Sequence, residues 1–325
     1  MLAGWYERHG PAREVLRVGE QPDPVPGRGE LRVRLHASAV NPSDIKARGG
    51  SRPVIPPRVI PDSDGAGTLD RIGAGVSRRR AGERVWVYNG QWQRASGTSA
   101  QYICLPAAQA VPLPRKVSWE QGACLGIPVM TAHRCLFADG PLRGMTVLVA
   151  GGAGVVGHYA VQLARWAGAR VIATVSSPEK AAHARNGGAN ATINYRTEDV
   201  AARLDALTRG QGIDRVVDVE LGVNLATYEK ALRPVAVIAT YAAAAVQDAV
   251  LPVRLRQRNV TVRMVFVYTM PDEAKRQAIA DIARWLARGR PQFAIAARYP
   301  LSEIAAAHET VESGNKIGHV ILDIP

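Results

Sequence analysis

Cysteine is scarce in this chain of 325 residues. Cys104, Cys124 and Cys135 are odd in number and form no C-x-x-C pair. That excludes a disulfide framework and a structural zinc knot, and Cys124 and Cys135 read as small buried apolar residues. No apolar run approaches the ~20 residues that span a bilayer. The stretch from Met1 to Arg8 lacks the apolar core of a secretory signal, so a cytoplasmic protein is expected. Acidic residues are also in deficit, 28 against 41 basic ones, for a net charge of +13. Such a surplus raises nucleic acid as a partner. The basic residues are nevertheless spread along the chain. The tightest run, Arg78-Arg79-Arg80 between Gly75 and Gly82, reads as a solvated loop. No RNA-binding motif accompanies it, so nucleic acid is not expected.

What is present centres on residues 146–167. The short apolar run Val147 to Val149 leads into a glycine cluster, and a helical pattern begins inside it. The run is too short for a helix, so it reads as a buried strand, a tight turn and a helix. Gly151, Gly154 and Gly157 are spaced G-x-x-G-x-x-G. In a dinucleotide-binding turn such glycines allow a sharp bend, close approach of backbone to pyrophosphate, and tight packing of helix on strand. The helix N-terminus then offers N–H groups and partial positive charge. The backbone of Ala153, Gly154, Val155, Val156 and Gly157 is the candidate phosphate cradle. A second β-rich run, Gly168 to Val175, completes a βαβ unit.

The tip of that second strand bears on the cofactor. NAD-binding units usually carry Asp or Glu there, to hold the ribose hydroxyls. This chain has Ser176-Ser177-Pro178-Glu179-Lys180, and Tyr195-Arg196 follows a third apolar run, Ala191 to Asn194. Two hydroxyls and a lysine accept a 2′-phosphate that a carboxylate would repel, which points to NADPH. Ser177 also reads as an N-cap with Pro178 at the first helical position; both readings hold together. The positive net charge suits the same anionic cofactor.

The N-terminal region, to about residue 122, alternates short β-like runs with Pro and Gly punctuation, as a compact β-rich domain should. Leu31 to Val40 alternates apolar and polar positions like a half-buried strand. Gly65 to Gly73 and Glu83 to Tyr88 read as further strands. Later, Gly212 to Val219 and Val235 to Tyr241 read as parallel strands, Val260 to Tyr268 as a last β-rich run, and Asp272 to Arg288 as an amphipathic helix.

Within these segments, VNPSDIKARGG (40–50), IPDSDGAGTLDRIGAGV (60–76), GERVWVY (82–88), GIPVMTAHRCL (126–136), VLVAGGAGVVGHYAVQLARWAGA (147–169), NGGANATINYRTEDV (186–200), GIDRVVDVELGVNL (212–225) and YPLSEIAAAHETVESGNKIGHVILDI (299–324) resemble the medium-chain dehydrogenase/reductase superfamily. The set, in register along nearly the whole chain, is most similar to its quinone oxidoreductase, or zeta-crystallin-like, branch. The resemblance implies an α/β fold: a Rossmann-type doubly wound parallel sheet inserted into a β-rich GroES-like catalytic domain. The expected boundaries are 1–122 plus 270–325 for the catalytic domain and 123–269 for the NADPH domain, with substrate in the cleft between them.

Zinc enzymes of the superfamily place Cys where this chain has Asn41, Gly-His-Glu within Pro61-Asp62-Ser63-Asp64, and Cys at Ile127. Their four-cysteine structural loop is also missing from 89–101. A catalytic zinc needs about three protein ligands, and the expected Cys and His are absent, so no zinc is expected. Without a Lewis acid an ordinary ketone lacks charge stabilisation, whereas a quinone or enone delocalises the incoming electron pair. The resemblance therefore implies hydride transfer from NADPH to a quinone or related conjugated carbonyl. The alternatives are an enoyl or 2-alkenal reductase on the same fold, and an RNA-binding or structural role as in some zeta-crystallin relatives.

By the same resemblance, Asn41 and Asp44 line the substrate site, although a turn and helix cap explains those residue types equally. Lys46 stands where relatives often have a cofactor-contacting Tyr. Thr131 matches a hydroxyl beside the nicotinamide; the alternative is a buried helical Thr bonded to its own backbone. Tyr241 and Ala242 fall beside the nicotinamide half, where Pro234-Val235 and Tyr241 depart from a glycine-rich pattern. Phe266, Val267 and Tyr268 approach the nicotinamide amide through their backbone. Lys316 either reaches the cofactor phosphates or is a solvated loop lysine. His133 and His158 read as packed helical residues. The sparsely charged 260–268 run, an edge strand in the family, implies a homo-oligomer, dimer or tetramer.

Overall fold

A computed structural model describes residues 1–77, 79, 81–242 and 249–325. The chain forms two compact units, Met1–Ile127 with Phe293–Pro325, and Pro128–Gln292. The second is thus inserted into the first. The expected boundaries move by a few residues at one end and by more than a helix at the other. The reason is long-range packing. The helix Asp272–Arg288 buries Ala278, Ile282, Trp285 and Leu286. Trp285 meets Tyr159 edge-on at 6.2 Å, and Asp281 accepts a hydrogen bond from His133 at 2.8 Å. These partners all lie in the second unit. Residues 123–127 stay with the first, where the Ile127 N–H donates to Asp64.

The first unit contains β1 (Leu2–Trp5), β2 (Arg17–Glu20), β3 (Glu30–Val40), β4 (Asp64–Ile72), β5 (Arg84–Val87), β6 (Tyr102–Pro106) and β7 (Ala110–Pro112). The second contains β8 (Thr146–Val149), β9 (Arg170–Val175), β10 (Ala191–Asn194), β11 (Ile213–Asp218), β12 (Leu232–Thr240) and β13 (Thr261–Met264). The chain then returns to the first unit through β14 (Ile295–Pro300) and β15 (His319–Asp323).

In the first unit β14-β15-β3-β4-β5-β7 follow in order, and β6 adds to β3. Strand β3 is therefore flanked by β4, β6 and β15, which buries it more completely than its alternation predicts. Leu31, Val33 and Leu35 enter the core beside Val320 and Leu322. Even Arg32 is buried, its guanidinium paired with Asp70 and lying 4.7 Å from the Tyr102 ring. Arg79, the described member of the basic run, folds inward: it bonds Glu83 at 2.7 Å and the Ala110 carbonyl at 2.8 Å. Arg78 and Arg80 lie outside the described residues.

The second unit is a six-stranded sheet, β10-β9-β8-β11-β12-β13, in which every pairing is parallel. Sequence order runs outward from β8 through β9 to β10, then restarts at β11 on the other side. Beyond the carboxyl ends of β8 and β11 lies the switch point where such sheets bind ligands. The last run is shorter than expected. After Met264 the chain leaves the sheet for a single tight turn, Val267–Thr269, burying Val267 and Tyr268 and leaving Phe266 half exposed. Among the described residues no helix is long and apolar enough to cross a membrane.

Candidate active site

In the second unit, β8 runs straight into the glycine turn. Gly151 takes φ +74°, a left-handed conformation that a residue with a Cβ resists. Thr174 on β9 holds the turn: its hydroxyl accepts the Gly151 N–H at 3.0 Å and its carbonyl the Gly152 N–H at 3.0 Å. Gly154 caps the helix Val155–Trp166 with no side chain covering the first N–H groups. A Cβ at Gly157 would lie 2.2 Å from the Gly151 carbonyl oxygen, so only glycine lets helix and turn approach this closely. Ala153 is buried, whereas Gly154, Val155 and Val156 retain exposure. This cradle fits a pyrophosphate.

At the tip of β9, Ser177 caps the helix Pro178–Asn186 by accepting the Lys180 N–H at 3.2 Å. The Lys180 ammonium donates to the buried Ser176 hydroxyl at 3.1 Å. Tyr195, half exposed, follows the neighbouring β10, and its N–H donates to the Val175 carbonyl at 3.0 Å. Arg196 and Glu179 are exposed. Ser176, Ser177, Lys180 and Tyr195 thus meet at adjoining strand ends, with a fixed ammonium among them.

The end of β11 holds a residue that the sequence reading did not single out. Asp218 is buried and accepts from the Tyr228 hydroxyl at 2.6 Å, the Asn224 amide at 2.8 Å and the Glu220 N–H at 2.8 Å. Its carbonyl takes the Tyr241 N–H at 3.2 Å, tying the ends of β11 and β12 together. Burial pushes the Tyr241 phenol up, so it stays neutral; Ala242 is exposed. Within β12, Val235 adopts φ +57°, a strained conformation for a β-branched side chain, at the Pro234-Val235 step that departs from the relatives' glycine-rich pattern.

Thr131 and His133 are buried on the helix Ile127–Phe137. His133 is held by Asp281, yet burial keeps its imidazole below its ordinary pKa. His158 stacks on His183 at 3.9 Å and is pushed down to about 3, first by burial. Both are packed neutral residues.

In the first unit, Asn41 caps the short helix Pro42–Lys46. Asp44 accepts the Asn41 backbone N–H at 2.9 Å and the Ser63 hydroxyl at 3.3 Å. The Asn41 amide donates to Asp64 at 2.9 Å, and the same carboxylate oxygen takes the Ile127 N–H at 2.8 Å. The Asn41 side chain, which the resemblance sets along the substrate site, is thus bonded to Asp64. Asp62, with φ +68°, bonds Ser99 and lies 3.3 Å from His308 Nε2. All three aspartates are buried. Burial, then repulsion from Asp62 and Asp64, drives Asp44 well above the carboxylate range. Burial pushes Asp64 up to about 8 against the pull of its two donors.

The sequence marks Asp62 only by a Pro-Asp-Ser-Asp stretch opening a strand, and carries no comparable signal for His308. Lys46 is exposed. Lys316 is partly buried: its ammonium donates to the Gly318 carbonyl at 2.7 Å, and burial lowers its pKa. Among the described residues, no three His, Cys, Asp or Glu side chains are grouped to hold a metal ion.

Residues 27–115 match the alcohol dehydrogenase GroES-like domain family, and residues 155–284 the zinc-binding dehydrogenase family. The rat (Rattus norvegicus) quinone oxidoreductase is 29% identical over 98% of this chain and 95% of its own. A solved NAD-dependent alcohol dehydrogenase is 28% identical, with TM-score 0.90, covering 100% of both chains. The Escherichia coli quinone oxidoreductase complexed with NADPH is 26% identical, with TM-score 0.84, covering 99% of this chain and 100% of its own. The inserted parallel sheet and these matches define an oxidoreductase of the medium-chain dehydrogenase/reductase superfamily. Within it, the chain belongs to the quinone oxidoreductase branch.

Proposed function

We propose that this enzyme passes hydride from NADPH to a quinone or related conjugated carbonyl without zinc. The observation that carries the reading is the Lys180 ammonium fixed on Ser176 at the tip of β9, where Ser176 and Ser177 rather than Asp or Glu follow the strand. It suits a 2′-phosphate, and the E. coli relative is solved with NADPH. Gly154, Val155, Val156 and Gly157 receive the pyrophosphate; Ser176, Ser177, Lys180, Tyr195 and Arg196 receive the adenosine phosphate. Thr131, Tyr241, Ala242, Phe266, Val267 and Tyr268 serve the nicotinamide end.

Bound NADPH supplies the hydride. The chain orients it, excludes water and supports the oxygen that gains charge. Asn41 and Asp44 enter as positioning residues, because their polar groups are bonded to Asp64 and Ser63. A zinc site does not fit: Asn41 and Ile127 occupy positions where the superfamily's zinc enzymes have Cys, and Asp64 already accepts two donors. A second copy of this chain is the proposed oligomeric partner, meeting edge strand β13, whose last residue Met264 is 72% exposed and is followed by Phe266 at 50%.

The experiment is a panel of benzoquinones, naphthoquinones and enones with NADPH, run with and without chelator. Quinone turnover that chelator leaves untouched supports the reading. Turnover of enones alone moves the enzyme to the alkenal reductases, and loss of activity with chelator removes the zinc-free claim.

A further inference from the structure

At the carboxyl end of β11 a single buried side chain, Asp218, gathers three hydrogen bonds. Its Oδ1 accepts the Glu220 N–H and the Asn224 amide, each at 2.8 Å, and its Oδ2 accepts the Tyr228 hydroxyl at 2.6 Å. The first bond closes an Asx turn that takes the chain sharply off the strand. The other two grip the helix Leu221–Tyr228 near its start and at its last residue. All three partners are donors, which suits a carboxylate: both its oxygens accept, whereas an amide offers one acceptor oxygen.

The helix does not depend on these bonds to pack. Leu221, Leu225 and Tyr228 share one helical face and enter the sheet core beside Leu148, Val216 and Ile238. What the bonds add is direction. Val219 stands inside the Asx turn, and its methyl lies 3.3 Å from where a Cβ on Gly151 would be, so it packs against the glycine turn. The Asp218 carbonyl holds the Tyr241 N–H at 3.2 Å, at the exit of β12. One residue thus sets the corner against which the glycine turn and the end of β12 take their places.

We propose that Asp218 is a positioning residue for the nicotinamide half of the cofactor, acting through Val219 on the glycine turn and through its carbonyl on Tyr241 and Ala242. This role deepens the proposed function and rests on it for the strand ends that receive the nicotinamide. The adenosine half belongs to β9 and β10, on the far side of β8 from this corner. Loss of the corner therefore disturbs one half of the cofactor and spares the other. At the reacting end, a displacement of about 1 Å costs up to about a hundredfold in rate.

NADPH and adenosine 2′,5′-bisphosphate, which lacks the nicotinamide, separate the two halves. Fluorescence titration with both, and kinetics with 1,4-naphthoquinone, compare the unaltered chain with Asp218→Ala, Asp218→Asn and Tyr228→Phe. In Asp218→Ala, kcat is expected to fall about tenfold or more and NADPH to bind more weakly, with the bisphosphate bound as before. Tyr228→Phe loses one bond of the three and shows a smaller fall of the same kind. Asp218→Asn keeps an acceptor for the Glu220 N–H and the Asn224 amide, and recovers most of kcat. Equal weakening of both ligands in Asp218→Ala overturns the proposal, as do unchanged kcat and NADPH affinity. An Asp218→Asn as impaired as Asp218→Ala overturns it too. If Asp218→Ala does not fold, Tyr228→Phe decides, and kcat and NADPH affinity equal to those of the unaltered chain overturn the role. If the unaltered chain reduces no quinone, the reductase reading fails, and the split between the two ligands still decides this proposal.

Discussion

The side-chain amide of Asn41 donates to Asp64 across 2.9 Å, inside a buried cluster that also holds Asp44 and Asp62. The pair joins the cap of a short helix to the first residue of β4. Asp64 therefore keeps its shape through hydrogen bonds while paying little heed to solvent pH until well above the carboxylate range.

That cluster predicts a pH-dependent stability. Asp64 titrates near 4 when unfolded and at about 8 when folded, and Asp44 is shifted in the same direction. The folded state then binds more protons than the unfolded state between these values. Stability from this source is complete below about pH 4 and is lost as pH rises through about 8, at up to ~1.4 kcal/mol per pH unit for one proton. Denaturant unfolding of Asp64→Asn, measured across pH 5 to 8, should show a flatter slope than the unaltered chain. An unchanged slope contradicts the assignment.

Gly157→Ala should damage the cradle. Its Cβ would lie 2.2 Å from the Gly151 oxygen, and the three nearest atoms it would meet are all backbone. Thermal unfolding is expected to report a loss of about 1–3 kcal/mol, and cofactor titration a weakened affinity for NADPH and NADH alike. Unaltered cofactor binding would falsify the cradle's role.

Lys180→Glu should act more selectively. Its carboxylate would repel a 2′-phosphate and leave Ser176 without its ammonium. NADPH affinity is expected to fall by tenfold or more, about the worth of a charge-assisted contact, with NADH little changed. If fluorescence titration shows both weakened equally, the 2′-phosphate site lies elsewhere.

Val235 offers a gain instead. It is 70% exposed with φ +57°, a conformation costing a β-branched residue about 1–2 kcal/mol. Val235→Gly removes that strain, offset by the entropy of a freer unfolded chain. Calorimetry should find a net stabilisation of up to about 1 kcal/mol; a lower melting temperature contradicts it.

Much of this architecture is legible in the sequence where the signal is local. The strand–glycine–helix stretch around Gly151, the Ser177–Pro178 cap and the amphipathic face of Asp272–Arg288 all follow from short-range pattern and steric need. The unit boundary was misplaced because that helix's partners, Tyr159 and His133, lie more than a hundred residues away. Arg32 looks like a solvent-facing strand position until Asp70 and Tyr102 enclose it. The burial of Asp62 against Ser99 and His308 likewise depends on three distant segments. Propensity carries Val260 to Tyr268 as one strand, but only tertiary packing tells that pairing ends at Met264.

The most direct measurement of the central claim is kcat/KM for NADPH and for NADH with one quinone, 1,4-naphthoquinone, followed by loss of nicotinamide absorbance. Turnover is expected with NADPH favoured about tenfold or more, from the same charge-assisted contact. Equal or better use of NADH, or no oxidation of either, contradicts it.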